Sequence, residues 1–140
     1  MPTYLDVFVS PVRDNGFAQT LIIALLVCIV FDIISGFGAA AANNGIDSSK
    51  MRKGIWHKLA EVMFVFVADI IDGLLLGGLQ IQIQPVLVGT LLFLVFMELL
   101  SIVENLVKAN PDLARVPLVN KLAQAVAELG DGDGEAGDGK

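Results

Sequence analysis

The chain has 140 residues, of which 55% are hydrophobic and 17% charged, and its formal net charge is −6. The apolar residues form three long runs instead of following the short period of a soluble helix or strand, which excludes an ordinary soluble domain. The acidic balance offers no basic face, so we expect no nucleic-acid partner. Because Cys28 is the single cysteine, an internal disulfide is also excluded.

The N-terminal residues 1–16 mix apolar and polar side chains ahead of the first apolar run. The apolar ones favour contact with the membrane interface, while Pro11 and the pair Asn15-Gly16 predict a helix break and a turn. We therefore expect an interfacial N-terminal segment. The apolar run that follows is too long, and its leader too weakly charged, for a cleavable signal peptide.

Each apolar run is long enough to cross about 30 Å of hydrocarbon, which takes roughly 20 residues of helix. The predicted spans are 17–42, 59–79 and 85–105. An uncharged connector, QIQIQ at 80–84, separates the second span from the third, and so short a connection predicts antiparallel neighbours. We interpret the chain as an all-α integral membrane protein with a three-span domain over 17–109.

The connection before the second span, 43–58, is the basic part of the chain. Its cations are Lys50, Arg52, Lys53 and Lys58. By the positive-inside rule these residues determine the topology, and they predict that this loop and the C-terminus are cytoplasmic.

The C-terminal part divides into two predicted segments. Residues 110–129 place Leu118, Leu122 and Ala125 on one face, with polar residues opposite, which predicts an amphipathic cytoplasmic helix. Residues 130–140 consist almost wholly of glycine and acidic residues and are predicted to be a disordered acidic tail.

Four acidic residues lie at membrane depth in the predicted spans: Asp32, Asp69, Asp72 and Glu98; Glu61 and Glu104 lie nearer the span ends. Facing lipid, the four at membrane depth would together cost roughly 10–14 kcal/mol by insertion scales. No Lys or Arg lies in the predicted spans, so we expect no ion pairs inside the bundle and neutral, hydrogen-bonded carboxyl groups. The alternative is that these groups line a wet path once subunits rearrange.

Small residues lie on the same helical faces as these acids. In the first span Gly36 and Ala40 follow the acid at intervals of four residues, and in the second span Gly73 and Gly77 form a GxxxG pair. Such faces let helices approach closely in a membrane. They predict helix packing and assembly into a homo-oligomer.

The sequence holds no pattern typical of catalysis, cofactor binding or metal binding. His57 is the only histidine, and there is no CxxC pair and no glycine-rich phosphate loop. The DGDGE spacing of the tail lacks the twelve-residue pattern of a calcium loop. We expect a protein that is not an enzyme and that uses no cofactor and no metal.

The order of these features resembles the bacteriophage holin family that includes the toxin-secretion holins of Gram-positive bacteria. In the first span the resemblance rests on DIISG, which begins at Asp32, and before the second span on the loop SSKMRKG at 48–54. The run ELLSIVEN from Glu98, with Ser101, Glu104 and Asn105, carries it most strongly.

The likeness covers about residues 17–129, and the chain departs from the family pattern in two places. Family members often end in a basic tail, whereas this chain ends in an acidic one, and the acidic pair Asp69 and Asp72 is not part of the family pattern.

The resemblance implies a small phage-encoded protein of the bacterial cytoplasmic membrane. Such a protein would assemble with copies of itself in the lipid bilayer and form lesions at a set time. The lesions would release an endolysin, its functional partner without direct contact, and the host cell would lyse.

Two other classes of function stay open. A small ion channel or transporter subunit would use the intramembrane carboxyl groups as a proton or cation relay, and it would pass ions without releasing proteins. A membrane adaptor would dock a partner through its C-terminal helix and would leave permeability unchanged.

Overall fold

A computed structural model describes residues 4–43, 48–81, 83–117, 119–121 and 124. In chain order the elements are α1 (Tyr4–Arg13), α2 (Gly16–Ala42), α3 (Ser48–Leu79), α4 (Pro85–Ala109) and a 3₁₀ helix (Pro111–Arg115). All regular structure in these residues is helical, which confirms the predicted all-α class.

Three of the helices are long and apolar enough to cross a membrane: Gly16–Ala42, Arg52–Leu79 and Pro85–Ala109. Large apolar side chains cover their outward surfaces, and Phe31, Phe64 and Phe93 are each more than half exposed. Three acidic side chains are instead buried in the interior. This distribution of side chains, apolar outside and polar inside, suits a protein surrounded by lipid. The helices also satisfy their own backbone hydrogen bonds, which lipid cannot do.

α1 forms where the sequence predicts a break. Pro11 lies inside the helix, so the predicted break at this residue is wrong. The proline removes one backbone hydrogen bond from α1, and its fully buried side chain contributes apolar contacts that offset this loss. Arg13 pairs with Asp6 at 3.0 Å and with Asp14 at 2.9 Å. The hydrogen bond from Arg13 holds the pKa of Asp14 below its ordinary value.

The predicted turn at Asn15 is present, and Asn15 caps α2. Its Oδ1 accepts hydrogen bonds from the backbone N–H groups of Phe17 and Ala18, at 3.1 and 3.0 Å. Its Nδ2 donates to Gln84 Oε1 at 2.7 Å. The turn between α1 and α2 and the connector between α3 and α4 therefore lie at one end of the bundle, which we term the Asn15 end.

The opposite end is marked by Asn43, whose Nδ2 donates to the backbone oxygen of Lys108 at 3.3 Å; we term it the Asn43 end. Partners on α2 and α4 are 69 residues apart at the first end and 65 at the second. Because this separation hardly changes along their length, α2 and α4 run parallel, and α3 runs in the opposite direction.

α4 is the central helix, since it packs along α2 and also against α3, while α1 packs on α3. The apolar core lies towards the Asn15 end. It consists of Ala18, Leu21, Leu25 and Ile29 from α2, Ala68 from α3, and Leu87, Leu91 and Leu94 from α4. The spacings of three and four residues place these positions on one face of each helix.

The second and third spanning helices are longer than the predicted spans, and this extension matters for the site. α3 begins at Ser48 and ends before Gln80, which has a φ of 55°. There the N–H of Ile81 bonds to the oxygen of Leu75 at 3.3 Å. A residue in the left-handed conformation just after the last helical residue is a common way for an α-helix to end.

The predicted C-terminal segments lie largely beyond the described part of the chain. The first residues of the predicted amphipathic helix form the 3₁₀ helix instead. Residue 118, residues 122–123, and everything from 125 onward, including the predicted acidic tail, lie outside the described residues.

Candidate functional site

Lys58 joins all three spanning helices. From α3 its Nζ lies 3.0 Å from Asp32 Oδ2 on α2, and it donates a short hydrogen bond to Glu98 Oε1 on α4. Glu61 Oε2, one turn further along α3, is 3.8 Å from the same nitrogen. Asp32 is 9% exposed and Glu98 2%, so these charges interact away from lipid and bulk water.

The predicted absence of ion pairs within the bundle is therefore wrong. Lys58 was assigned to the basic loop because the second span was predicted to begin one residue later. In the structure α3 begins at Ser48 and continues without a break through Lys58, and the Lys58 side chain turns into the bundle toward Asp32 and Glu98. Its cation neutralises part of the buried acid, which is how a bundle normally tolerates an intramembrane carboxylate.

Asn105 completes the contact between α2 and α4. Its Nδ2 donates to Asp32 Oδ1 at 3.1 Å and to Ser35 Oγ at 3.3 Å. The Ser35 hydroxyl in turn donates to the backbone oxygen of Asp32 at 3.0 Å. We term Asp32, Ser35, Lys58, Glu61, Glu98 and Asn105 the Lys58 cluster.

Gly36 makes room for this amide. A Cβ at Gly36 would lie 3.4 Å from Asn105 Nδ2, so the two helix backbones approach closely where the polar side chains meet. The predicted packing role of Gly36 thus falls between α2 and α4 of one chain. Ala40, predicted on the same face, is half-buried, while Ala39 beside it is buried.

The structure separates the four predicted intramembrane carboxyl groups into two places. Asp32 and Glu98 meet in the Lys58 cluster, whereas Asp72 lies eleven residues beyond Glu61, roughly 16 Å along α3. Asp72 is 1% exposed and faces the start of α4. Its Oδ2 accepts from the N–H of Leu87 at 2.6 Å, and its Oδ1 accepts from the N–H of Val86 at 3.3 Å.

Asp72 therefore acts as the N-terminal cap of α4. α4 starts at Pro85, and Gln84, at the N-cap position, makes no side-chain capping bond. A carboxylate there satisfies N–H groups that have no partner within the helix and interacts favourably with the helix dipole. Asp69, one turn earlier, is half-buried, and its Oδ1 has no hydrogen-bond partner.

The other predicted residues lie outside these two places. Gly73 is buried beside Asp72. Gly77 lines a cavity between α1 and the end of α3, together with polar residues such as Arg13 and Gln84. Arg52 and Lys53 are exposed on the first turns of α3, and the side chain of Lys50 lies outside the described set. Ser101 is half-buried, and Glu104 is exposed, 3.4 Å from Lys108. Among the described residues no group of His, Cys, Asp and Glu is arranged to hold a metal ion.

The model of the bacteriophage holin family matches residues 13–131. The chain belongs to this family. The match contains every residue of the Lys58 cluster, so this holin carries the cluster within the family region. No curated protein and no solved structure matches the holin.

The family is one of membrane pore-forming proteins, not of enzymes. In this holin four of the residues that carry the family resemblance converge: Asp32, Ser35, Glu98 and Asn105 lie in the Lys58 cluster, whereas Ser101 and Glu104 do not. Sequence reasoning missed Lys58 and Glu61 as members of the site. The apolar pair Ile55 and Trp56, just before Lys58, is the signal that could have placed this lysine inside the apolar layer.

Proposed function

We propose that this holin assembles in the cytoplasmic membrane of a bacterial host and opens lesions that release an endolysin, so that the host cell lyses at a set time. The family match over residues 13–131 carries the proposal. The structure supports it with a bundle that holds charged groups inside and shows an apolar surface to lipid.

The mechanism that we propose has two states. In the resting protomer the Lys58 cluster is closed, and its charges stay out of lipid. When protomers rearrange, the helices separate at the cluster and its polar groups become the wall of a water-filled lesion. The membrane potential biases the change, because moving one charge across 100 mV is worth about 2.3 kcal/mol.

Assembly needs surfaces that the single bundle leaves free. Gly36 already serves a contact with Asn105 within the chain, and Gly73 is buried. The exposed face of Gly77 and the outward apolar surfaces remain available for contacts between copies. We propose the homo-oligomer as the functional form, with the endolysin as a partner that passes through the lesion without binding.

We further propose that the Asn43 end faces the cytoplasm. The exposed cations Arg52 and Lys53 lie on the helix that begins at this end, and α4 ends there with Lys108, followed by Arg115 in the 3₁₀ helix. By the positive-inside rule such residues stay in the cytoplasm. Lys58 no longer counts toward this asymmetry, because it pairs inside the bundle.

The test is to induce the holin in bacteria that carry a cytoplasmic endolysin without a signal sequence. A potential-sensitive dye and the turbidity of the culture are followed together. We expect sudden depolarisation and a fall in turbidity that requires the endolysin. Depolarisation without endolysin release would indicate a narrow ion channel, and neither signal, with the protein in the membrane, would indicate an adaptor.

Single substitutions then connect the lysis time to the cluster. Asp32→Asn and Glu98→Gln should each shift the time of lysis, because each removes a charge that faces Lys58. Glu104→Gln is the matched control, since Glu104 is an exposed acid on the same helix as Glu98. Unchanged timing in both cluster variants would contradict the two-state mechanism.

A further inference from the structure

The Lys58 cluster contains more acid than base. One cation, Lys58, faces three carboxyl groups, those of Asp32, Glu61 and Glu98. If all three were ionised, the cluster would keep an uncompensated negative charge inside the apolar layer. Such a charge is costly unless a partner or a proton neutralises it.

The unsatisfied atoms of the cluster fall on two of the three acids. Asp32 uses both oxygens, one with Lys58 and one with Asn105. Glu98 Oε2 and Glu61 Oε2 are both buried and have no hydrogen-bond partner. Glu98 is 2% exposed, so water does not supply the missing donor at its free oxygen.

These two acids face each other across the contact between α3 and α4. Both lie against the same Lys58 nitrogen, Glu98 through a short hydrogen bond and Glu61 Oε2 at 3.8 Å, so the two carboxyl groups are neighbours. Two carboxylates only accept hydrogen bonds, but a protonated carboxyl also donates one. One added proton would satisfy both free oxygens and bring the cluster closer to neutral.

We propose that Glu61 and Glu98 share one proton in a carboxyl–carboxylate hydrogen bond that ties α3 to α4. The proton belongs to the pair and not to either residue, as expected for two strongly interacting acids. With Glu61 and Glu98 carrying one charge between them, the net charge of the cluster falls from −2 to −1, and Lys58 lies against both of the remaining negative charges. This inference does not depend on the lysis role.

The titratable and charged groups around Glu61 and Glu98 are the other groups that could bind the shared proton or change its affinity. α2 contributes Asp32 and the thiol of Cys28, and α3 contributes Lys58. The 3₁₀ helix, which packs on α4, carries Asp112 and Arg115, which pair with each other at 3.7 Å in solvent. The ionic groups of α1 pair among themselves at the Asn15 end.

Loss of the proton would put two like charges in contact between α3 and α4. The tie would become a repulsion, and the α3–α4 contact would weaken at the Asn43 end. Because Glu61 retains 26% of its side-chain exposure, the proton can exchange from that side. The closed bundle should therefore loosen as the pH rises.

The test uses infrared spectroscopy of the full-length holin in vesicles of phosphatidylethanolamine and phosphatidylglycerol at neutral pH. We expect a protonated-carboxyl C=O band that shifts in deuterium oxide. Glu61→Gln should remove it while preserving the fold, because the amide donates to Glu98 in place of the shared proton. Glu98→Gln should remove it as well, and circular dichroism checks that both variants remain helical.

Two controls keep the result specific. Asp69→Asn changes the other acid with a partnerless oxygen, and Glu104→Gln changes an exposed acid; both should retain the Glu61-dependent component. A wild-type spectrum without that component, or a component that survives both cluster variants, overturns the proposal. Melting temperature should fall with rising pH in the wild type and stay level in Glu61→Gln, and a level wild-type profile would equally count against it.

Discussion

At the scale of single residues, Lys58 has the largest effect on how the bundle is understood. A lysine near the end of a spanning helix commonly extends its charge toward the interface. Here it turns inward, because Asp32 and Glu98 offer two buried carboxyl groups on the neighbouring helices. One side chain thereby adds an ionic contact that joins all three spanning helices.

Replacing this lysine should destabilise the bundle strongly. Lys58→Met leaves Asp32 and Glu98 without their cation, and removing one partner of a buried ion pair costs about 3–5 kcal/mol. The measurement is the free energy of unfolding in detergent micelles. The triple variant Lys58→Met, Asp32→Asn and Glu98→Gln should recover most of the loss, because no unpaired charge remains.

The matched control for this variant is Lys108→Met. Lys108 pairs with Glu104 at 3.4 Å, and both side chains are more than half exposed, so its loss should cost no more than about 1 kcal/mol. If Lys58→Met and Lys108→Met unfold alike, the buried ion pairs do not hold the bundle together.

Asp72 makes a different prediction, because it caps a helix and does not pair with a cation. In Asp72→Asn only one oxygen remains for the N–H groups of Val86 and Leu87, and the negative charge at the helix start is lost. We expect a cost of about 1–2 kcal/mol, measured by unfolding. Asp69→Asn should cost clearly less, and equal losses would exclude the capping role.

The sequence predicts which acids are buried but not what each one contacts. The burial of Asp32 and Glu98 follows from their place in apolar runs. Their shared partner depends on the relative register of α2, α3 and α4, which helical periodicity within one segment does not contain. The cap formed by Asp72 is likewise a contact between residues of two helices, and neither local sequence specifies it.

At the scale of elements, the two turns at the Asn15 end depend on each other. Asn15 caps α2 with its oxygen and reaches the α3–α4 connector with its nitrogen through Gln84. The sequence predicts the turn here from Asn-Gly, since both residues favour turns. It does not predict the link to Gln84, because the two residues are 69 positions apart.

Two variants of Asn15 separate these roles. Asn15→Ala removes both the cap and the link, and the loss of the cap alone costs about 1 kcal/mol. Asn15→Asp keeps an oxygen for the cap but loses the donor to Gln84. Thermal unfolding should therefore rank the wild type above Asn15→Asp and Asn15→Ala lowest. An aspartate variant as unstable as the alanine variant would mean that the link, not the cap, matters.

Two elements show where sequence patterns reach their limit. The proline rule predicts a break at Pro11, but α1 continues through it, because burial of the proline side chain in the bundle offsets the one backbone hydrogen bond it removes. The basic residues before the second span read as a loop, yet α3 continues through them from Ser48. Hydropathy does not predict that a helix continues beyond the apolar layer into polar residues, because it locates only the apolar part of the helix.

At the scale of the whole molecule, the three-helix architecture follows almost directly from apolar length. Three helices are long and apolar enough to span a membrane, because lipid requires each crossing segment to satisfy its own backbone. The parallel α2 and α4, with α3 reversed between them in the chain, follow from the short connections. Which end faces the cytoplasm is a separate question that charge alone predicts.

Labelling of introduced cysteines tests that orientation. In a Cys28→Ala background, Lys53→Cys and Arg115→Cys report on the Asn43 end, and Gln80→Cys reports on the Asn15 end. A membrane-impermeant maleimide should label Gln80→Cys in intact spheroplasts and the other two only after permeabilisation. Each position is exposed in the bundle, so a missing label reflects the membrane and not burial.

The opposite pattern, with Lys53→Cys labelled from outside, would invert the molecule, and the charge asymmetry would then have failed to set its topology. An inverted bundle would also place Glu61, the more exposed acid of the Lys58 cluster, nearer the outer face. Proton exchange at that acid would then follow the external pH instead of the cytoplasmic pH. The labelling result therefore decides which compartment's pH the closed state can sense.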